Sequence, residues 1–154
     1  MLNLAPVPQG AQELLADRPG WLVVNAHEAA ALLGQEAGDE AQARAMAVRL
    51  AGDGGHAVIT LGAAGAVLAG PGRTAAVPGF AVPVVDTVGA GDAFVGALAV
   101  ALASGLEPAE AVRAACAAGA AATTRRGAQD GLPRPADVLT ATGFHWSDTV
   151  TGED

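Results

Sequence analysis

The segment Asp-Thr-Val-Gly-Ala-Gly-Asp-Ala-Phe-Val-Gly, residues 86–96, decides which fold this chain can adopt. An apolar, β-branched stretch, Phe80–Val85, precedes it, and an apolar stretch of helix formers, Ala93–Ala103, follows it. This order predicts that a helix begins at the glycines. The first backbone N–H groups of a helix lack intrahelical partners and lie at the positive end of its dipole, so the sequence predicts an anion site at this turn.

Asp92 lies in the first turn of this predicted helix. Local sequence leaves two interpretations of its carboxylate equally open. It can cap the helix, or it can act as a general base beside a bound phosphate. The turn at residues 89–91 is ambiguous in the same way, because a glycine-rich turn can form an anion hole or can simply need glycine for a positive φ.

Strands alternate with helices along the chain, which predicts an α/β fold with a doubly wound, mostly parallel sheet and helices on both faces. Ligands bind such sheets outside the carboxyl ends of the strands, so the loops after the second strand, the third strand and Val85 are expected at one edge. The predicted helices are Gln9–Asp17, Ala26–Leu33, Asp39–Leu50, Gly91–Ser104 and Pro108–Thr123. The predicted strands are Met1–Ala5, Trp21–Val24, Ala57–Leu61 and a hairpin of Ala66–Leu68 with Thr74–Val77.

Composition excludes several classes of partner. The net charge of −8 argues against binding to nucleic acid or to an anionic membrane surface, since both need clustered Lys and Arg. The longest apolar run, Ala93–Ala103, is well short of the roughly 20 residues that span a bilayer, and no signal peptide is visible. The single cysteine, Cys116, suits a reducing compartment and helix packing, which predicts a cytoplasmic protein. The spacing of the three histidines does not predict a zinc site.

The run Asp-Thr-x-Gly-Ala-Gly-Asp, followed by Gly96-Ala97-Leu98, resembles the C-terminal signature of the PfkB (ribokinase-like) carbohydrate kinases. Four other stretches resemble family motifs in the same order along the chain. They are Leu2–Pro6 for the Asn-Pro-Ala strand, Asn25–Glu28 for the Asn-x-x-Glu motif, Thr60–Gly65 for the Thr-x-Gly-x-x-Gly turn, and Thr124–Gln129 for the loop near the adenine. Several matches in the same order are far more specific than one motif. Within the family, these stretches are most similar to those of the ribokinase branch.

The resemblance implies ATP-dependent phosphorylation of a sugar hydroxyl, with ribose as the sugar that the branch favours. It implies that Asp92 is the catalytic base and that Gly89, Ala90 and Gly91 form the anion hole for the transferring phosphoryl group. It also implies that Mg²⁺ and K⁺ accompany ATP. A P-loop is not predicted, because no Gly-Lys-Ser/Thr occurs. A dinucleotide fingerprint is not predicted either, because Phe94 stands where the third small residue is required.

Further residues gain nucleotide-binding roles from the same resemblance. Asn25 and Glu28 would serve the Mg²⁺–phosphate network, although the same residues also fit an Asn cap with a surface Glu. Cys116 falls where ribokinases often carry an Asn that faces the adenine, which weakens that contact. The wall of the nucleotide site would be formed by Thr60, Gly62 and Gly65.

A monovalent cation site is implied around Asp86. Its carboxylate would bind the ion, although Asp86 also fits the cap of the Thr87–Gly89 turn. The backbone carbonyls of the site would be those of Val88, Ala122, Arg125 and Gly127. Gly131 stands where the family often has a hydroxyl residue, and this weakens the case for potassium.

The resemblance extends to about Thr142 and corresponds to the C-terminal half of a ribokinase-like domain. We therefore expect residues 1–142 to form that half and residues 143–154 to be a disordered tail. Because sugar-binding motifs are not recognised, we expect a fragment, a split gene or a misassigned start, inactive alone, with a homodimer or an N-terminal half completing the site. The alternative function is that of a non-catalytic nucleotide-binding fragment.

Overall fold

The computed structural model describes residues 1–8, 10–16 and 19–146. The chain divides into two compact units, Met1–Val77 and Pro78–Asp154. Among the described residues, no helix is long and apolar enough to cross a membrane.

The first unit is built on a five-stranded sheet in the order β1-β2-β3-β4-β5. The strands are β1 (Leu2–Asn3), β2 (Trp21–Asn25), β3 (His56–Thr60), β4 (Gly65–Gly70) and β5 (Arg73–Pro78). The first three strands are parallel to one another, and β4 is antiparallel to β3. The middle residues of β2 and β3 are apolar and buried without alternation, as expected of parallel strands covered on both faces.

The helices that the structure describes in this unit are α1 (Ala11–Ala16), α2 (Ala26–Leu33) and α3 (Glu40–Ala51). Gly34 ends α2 with φ +63°, a left-handed conformation that favours glycine. The first unit contains a hydrophobic core to which α2 contributes Leu32, α3 contributes Met46 and the sheet contributes Ile59. Each such side chain, when fully buried, contributes about 1.5–3 kcal/mol relative to exposure.

An aromatic pair lies at the amino-terminal ends of β2 and β3, whereas Asn25 and Thr60 lie at their carboxyl ends. The rings of Trp21 and His56 are stacked, with centroids 4.3 Å apart and planes 5° apart. A Cβ at Gly70 on the neighbouring strand β4 would lie 2.5 Å from Cδ2 of His56. Glycine at this position therefore leaves the space that the imidazole ring occupies.

The described part of the second unit, residues 78–146, contains three helices, α4 (Ala90–Ala103), α5 (Pro108–Ala122) and α6 (Pro135–Thr142). Small residues bring α4 and α5 close together, since a Cβ at Gly119 would lie 3.3 Å from the Ala90 carbonyl oxygen and 3.6 Å from Cβ of Phe94. Most of the buried side chains of α5 are alanines, so the contact is made largely by backbone and methyl groups.

The predicted α/β class and the mostly parallel sheet are confirmed, and the predicted bounds of α2 match the structure. The apolar, β-branched stretch Phe80–Val85 forms no strand in the structure. Val84 and Val85 are 61% and 54% exposed, and the backbone N–H of Val85 donates to the Thr123 carbonyl at 2.8 Å. Helix α6 was not predicted.

The predicted tail, residues 143–154, is described only as far as residue 146. Gly143 ends α6 with φ +71°. Phe144 packs edge-on against both Phe80 and Trp146, with ring centroids 6.2 and 6.4 Å apart. Residues 147–154 lie outside the described residues, as do Gln9 and Asp17, the predicted ends of the first helix.

Candidate active site

The amino terminus of α4 carries no side-chain cap. Gly89 occupies the cap position with φ +83°, so no side chain accepts a hydrogen bond from the first turn at this position. A Cβ at Gly89 would lie 2.8 Å from the Ala128 carbonyl oxygen. Glycine is therefore required here by both the backbone conformation and the close approach of residue 128. The Ala90 N–H donates to the Thr87 carbonyl at 3.2 Å, whereas the N–H groups of Gly91 and Asp92 have no backbone acceptor among the described residues. The anion site at this helix start stays a prediction, and these N–H groups are the ones available to it.

Asp92 is the third residue of α4, and it is exposed. Within the described part of the chain its carboxylate accepts no hydrogen bond from the helix start, and the cap position belongs to Gly89. The capping interpretation of Asp92 has no hydrogen bond to support it. The general-base interpretation stays a prediction, made for a carboxylate that lies within one turn of the open N–H groups.

Asp86 joins the start of α4 to a loop 41 residues further along the chain. Its Oδ1 accepts a hydrogen bond from the Val88 N–H at 3.0 Å, and its Oδ2 accepts one from the Gly127 N–H at 3.0 Å. The Gly127 hydrogen bond first, and the Val88 hydrogen bond second, lower the pKa of this carboxyl. The bond to Val88 matches the turn-capping alternative, but the bond to Gly127 has a different function, since it fixes a distant loop.

We call residues 123–131 the Gly127 loop. It follows α5, and the Gly127 carbonyl accepts a hydrogen bond from the Gly131 N–H at 3.0 Å. The carbonyls of Val88 and Arg125 accept no hydrogen bond from the described backbone, which leaves their lone pairs free for an ion or for water. The predicted donor set consists of one carboxylate and several carbonyl oxygens, which suits a hard cation. The residues present therefore fit a cation of this type.

Gly131 stands where the resemblance places a hydroxyl residue, and its surroundings show why this chain has glycine there. It is buried, and a Cβ at this position would fall on the Gly127 carbonyl oxygen. A hydroxyl side chain at residue 131 would require a shift of the backbone, so the loop of this chain is built around glycine.

Sequence reasoning missed an ion pair that holds the Gly127 loop from its other side. Arg125 donates through Nη1 to Oδ2 of Asp137 at 3.1 Å and through Nη2 to Oδ1 of the same carboxylate. Asp137 also accepts a hydrogen bond from the Arg134 N–H at 2.9 Å. The Arg134 bond first, and the Arg125 side chain second, lower the pKa of Asp137. Nothing in a single sequence pairs residues 125 and 137.

Asn25 and Glu28 form a capping box at the start of α2. The Asn25 Oδ1 accepts from the Glu28 N–H at 2.9 Å, and the Glu28 Oε2 accepts from the Asn25 N–H at 2.8 Å. The structure therefore contains the cap that was one of the two interpretations. Asn25 is also paired in register with Thr60, so the carboxyl ends of β2 and β3 bring these two predicted residues together.

The predicted Thr-x-Gly-x-x-Gly turn connects β3 to β4. Gly62 (φ +59°) begins a short 3₁₀ turn and Gly65 (φ +99°) ends it, while the Leu61 N–H donates to the Gly65 carbonyl at 2.8 Å. Both glycines adopt conformations that other residues rarely adopt. Their role as a wall of the nucleotide site remains a prediction.

Cys116 lies on the buried side of α5 and is 6% exposed. Burial raises the pKa of its thiol to about 11, so the group is protonated at neutral pH. This position supports the helix-packing interpretation over a contact with adenine.

The predicted site residues fall into two sets, one in each compact unit. The first unit holds Asn25, Glu28, Thr60, Gly62 and Gly65. The second unit holds Asp86, Val88, Gly89, Ala90, Gly91, Asp92, Cys116, Ala122, Arg125 and Gly127. Within the second unit the structure joins Asp86, the start of α4 and the Gly127 loop.

Known proteins are similar to this chain in sequence and in fold. The model of the pfkB family carbohydrate kinases matches residues 2–135. Ribokinase from Haemophilus influenzae is 36% identical over 141 residues, which are 90% of this chain and 45% of that protein. The crystal structure of ribokinase from Thermotoga maritima has a TM-score of 0.76 at 34% identity, covering 90% of this chain and 46% of that one.

A fructokinase double mutant from Vibrio cholerae, with fructose, ADP and a potassium ion bound, has a TM-score of 0.72 at 29% identity, covering 87% of this chain and 44% of that one. The chain spans about half the length of the proteins it matches. The fold is therefore ribokinase-like, and the match over residues 2–135 shows that the chain belongs to the pfkB family of carbohydrate kinases.

Proposed function

We propose that this chain carries the nucleotide site, the anion hole and the catalytic base of an ATP-dependent sugar kinase. The observation that carries the proposal is the start of α4, where Gly89 provides no side-chain cap and Asp92 lies in the same turn. In a site closed to water, one preorganised hydrogen-bond donor of this kind contributes about 2.7–4 kcal/mol to the transition state.

In the proposed reaction Asp92 accepts the proton of a sugar hydroxyl while the hydroxyl oxygen bonds to the γ-phosphorus of ATP. The bond from that phosphorus to the bridging oxygen breaks, and ADP leaves. The N–H groups of residues 89–91 offset the charge on the transferring phosphoryl group, and for this the Ala90 N–H would exchange its 3.2 Å contact with the Thr87 carbonyl for the phosphoryl oxygen. Phosphoryl transfer depends mainly on positioning and charge stabilisation, which is the chemistry that an uncapped helix start can supply.

Two cations complete the proposal. Asn25 and Glu28 would serve Mg²⁺ through water, because one Glu28 oxygen is engaged in the capping box, and the ion would offset phosphate charge. Asp86, with the carbonyls of the predicted set, would hold K⁺, which would add positive charge behind the anion hole. Potassium and ADP in the related fructokinase structure support this part of the proposal.

We propose ribose as the acceptor sugar. The support comes from two motifs, Asn3-x-Ala5-Pro6 and Thr124–Gln129, and from the matched relatives named ribokinase. Fructokinases also match, so fructose is the sugar to compare. Use of ATP together with a single buried cysteine supports a cytoplasmic location.

A second candidate function is nucleotide binding without turnover. The capping box favours it, because Asn25 and Glu28 satisfy each other and do not depend on a ligand to fix their side chains. In that case the site would be retained for binding or for assembly.

A sugar panel separates the two functions. The protein, as the cell makes it, is assayed for ADP release with ribose, fructose or no sugar, and ATP binding is measured by calorimetry on the same preparation. Sugar-dependent ADP release that Asp92→Asn abolishes supports the kinase. ATP binding without sugar-dependent release supports the second candidate. A protein that does not bind ATP contradicts both.

A further inference from the structure

The Gly127 loop is attached to the start of α4 at two points. Asp86 accepts the Gly127 N–H at 3.0 Å, and the neighbouring residue, Ala128, lies so close to Gly89 that a Cβ there would be 2.8 Å from the Ala128 carbonyl oxygen. A displacement of this loop would therefore move both the carboxylate of Asp86 and the cap residue of α4.

The other side of the loop is attached to α6 by Arg125. Its guanidinium makes a two-pronged contact with Asp137, a geometry that fixes direction as well as distance. Asp137 is itself held in place, because it accepts the Arg134 N–H at 2.9 Å and lies in the first turn of α6. The carboxylate therefore has little freedom, and it can act as a fixed anchor for residue 125.

Such a pair contributes little to overall stability when it is exposed. The side chains of Arg125 and Asp137 are 47% and 24% exposed, and exposed ion pairs are generally weak. The helix α3 offers a matched pair, Arg44 with Glu40, whose side chains are 40% and 54% exposed at an N–O distance of 2.8 Å. The difference between the pairs lies in what they hold: one lies along a single helix, and the other ties a loop to a helix.

We propose that Asp137 is a positioning residue which, through Arg125, fixes the Gly127 loop so that its backbone oxygens are arranged for a monovalent cation. The inference rests on the proposed function, because it assigns the loop to the cation site. Asp137 does not touch the ion. Its contribution is to hold residue 125 through a contact separate from the one that Asp86 makes with Gly127.

The test compares Asp137→Asn with Glu40→Gln. The first variant removes the charge from the anchor but keeps an oxygen for the Arg134 N–H, and the second removes the charge from the matched pair. Hydrogen exchange of the Gly127 amide is measured in KCl and in choline chloride at fixed ionic strength. The K⁺ concentration for half-maximal thermal stabilisation, and for half-maximal turnover, is measured on the same preparations.

We expect Asp137→Asn to speed exchange at Gly127 and to raise the half-saturating K⁺ concentration by about 10-fold or more, as loss of an outer-shell partner does at metal sites. Turnover at saturating K⁺ should stay within a few-fold of the parent. Glu40→Gln should change neither quantity. Asp137→Glu keeps the charge, so its K⁺ dependence and its exchange at Gly127 should lie closer to those of the parent than those of Asp137→Asn do. Arg125→Lys should raise the half-saturating K⁺ concentration as Asp137→Asn does, because an ammonium cannot form the two-pronged contact.

Unchanged exchange and unchanged K⁺ dependence in both Asp137→Asn and Arg125→Lys would overturn the inference, and so would a loss of stability alone. If Asp137→Asn does not fold, Arg125→Lys decides by the same criteria. A parent protein that does not respond to K⁺ would contradict the cation part of the proposed function. Exchange at Gly127 would then still show whether the ion pair holds the loop.

Discussion

Helices α2 and α4 both carry an acidic residue at their third position, Glu28 and Asp92, yet the two helix starts differ in what these residues do. In α2 the cap residue is Asn25, and Glu28 reaches back to its N–H to close the capping box at 2.8 Å. In α4 the cap residue is Gly89, which has no side chain to complete such a box.

The difference teaches that the cap residue decides whether a helix start is available to a ligand. An Asn cap satisfies the first turn from within the chain. A glycine cap offers those N–H groups no side chain. In α4 the Ala90 N–H donates to the Thr87 carbonyl, the next N–H groups are left to water or to an anion, and the acid at the third position is left free for chemistry.

The largest effect is expected at Asp92. Replacing Asp92 with Asn should lower kcat by at least about 100-fold, because a general base contributes about 10²–10⁴-fold. Nucleotide affinity and the unfolding transition should change little. Steady-state kinetics in a preparation that phosphorylates sugar, with calorimetry for ATP, measure these quantities.

Glu110→Gln is the matched control for that experiment, because Glu110 is the third residue of α5 and is exposed. It should leave kcat unchanged. Activity of Asp92→Asn within a few-fold of the parent would show that the acid of α4 is no more catalytic than the acid of α5.

A methyl group at the glycine cap should have the next largest effect. Gly89→Ala and Gly34→Ala both place a side chain at a positive φ, which costs about 1–2 kcal/mol. Only Gly89 has a neighbour within contact distance, the Ala128 carbonyl. We therefore expect Gly89→Ala to lower the free energy of unfolding by about 1–3 kcal/mol more than Gly34→Ala, since overpacking adds a cost of that size.

Urea unfolding of the two variants measures this difference, and an ATP titration of Gly89→Ala should show weaker binding. Equal losses of stability in both variants would mean that the approach of residue 128 to the cap has no energetic consequence.

Asn25→Ala tests whether the closed helix start has a second role. Removing a cap costs about 0.5–2 kcal/mol, and Asp39→Ala removes the equivalent residue of the capping box on α3. The two variants should lose similar stability. If Asn25 also serves the nucleotide, only Asn25→Ala should weaken binding of Mg²⁺–ATP. Equal nucleotide affinity in both variants would leave the start of α2 with a structural role alone.

The smallest effect is expected from the titration of Asp86. The pKa of Asp86 in the folded protein lies below the ordinary value of 3.8, because its two backbone hydrogen bonds favour the charged form. Its contribution to stability is therefore present above pH 3.8 and is lost as the pH falls below that value. Asp86→Asn should reduce the loss of stability between pH 4 and pH 2.

Urea unfolding across that pH range, for the parent and the variant, measures the effect. Part of the pH dependence should remain in the variant, because the pKa of Asp137 is lowered too. Superimposable curves for the two proteins would mean that the hydrogen bonds of Asp86 do not stabilise the folded state.

The sequence predicted the helices best where residues of known capping preference bracket them. Helix α2 was predicted with its observed bounds, because Asn25 and Gly34 mark its two ends. Helix α6 was missed, because only Val138 of its eight residues is buried, and no apolar periodicity marks it. The stretch Phe80–Val85 is apolar and β-branched, as many strands are, yet it forms no strand. The preference of such residues for strands depends on packing against neighbouring strands, which Val84 and Val85 do not have among the described residues.

The candidate site was predictable only in part for a related reason. The spacing of Asn25 and Glu28 fits a capping box and a magnesium site equally well, since both need two polar groups one helical turn apart. The bond from the Gly127 N–H to Asp86 spans 41 residues, and it was not predicted. The family resemblance implied only that Asp86 and the Gly127 carbonyl lie at the same cation site. The pairing of Arg125 with Asp137 has no local pattern at all, so it had to be seen in three dimensions.

The stack of Trp21 on His56 allows the sheet to be followed by tryptophan fluorescence. The chain has two tryptophans, and each compact unit holds one of them, Trp21 in the first and Trp146 in the second. Because Trp21 contacts its partner across β2 and β3, its emission in a Trp146→Phe variant reports the separation of those two strands. The Trp21→Phe variant reports instead the aromatic contact of Trp146 with Phe144. The two emission spectra therefore report on the first unit and on the second unit separately during unfolding.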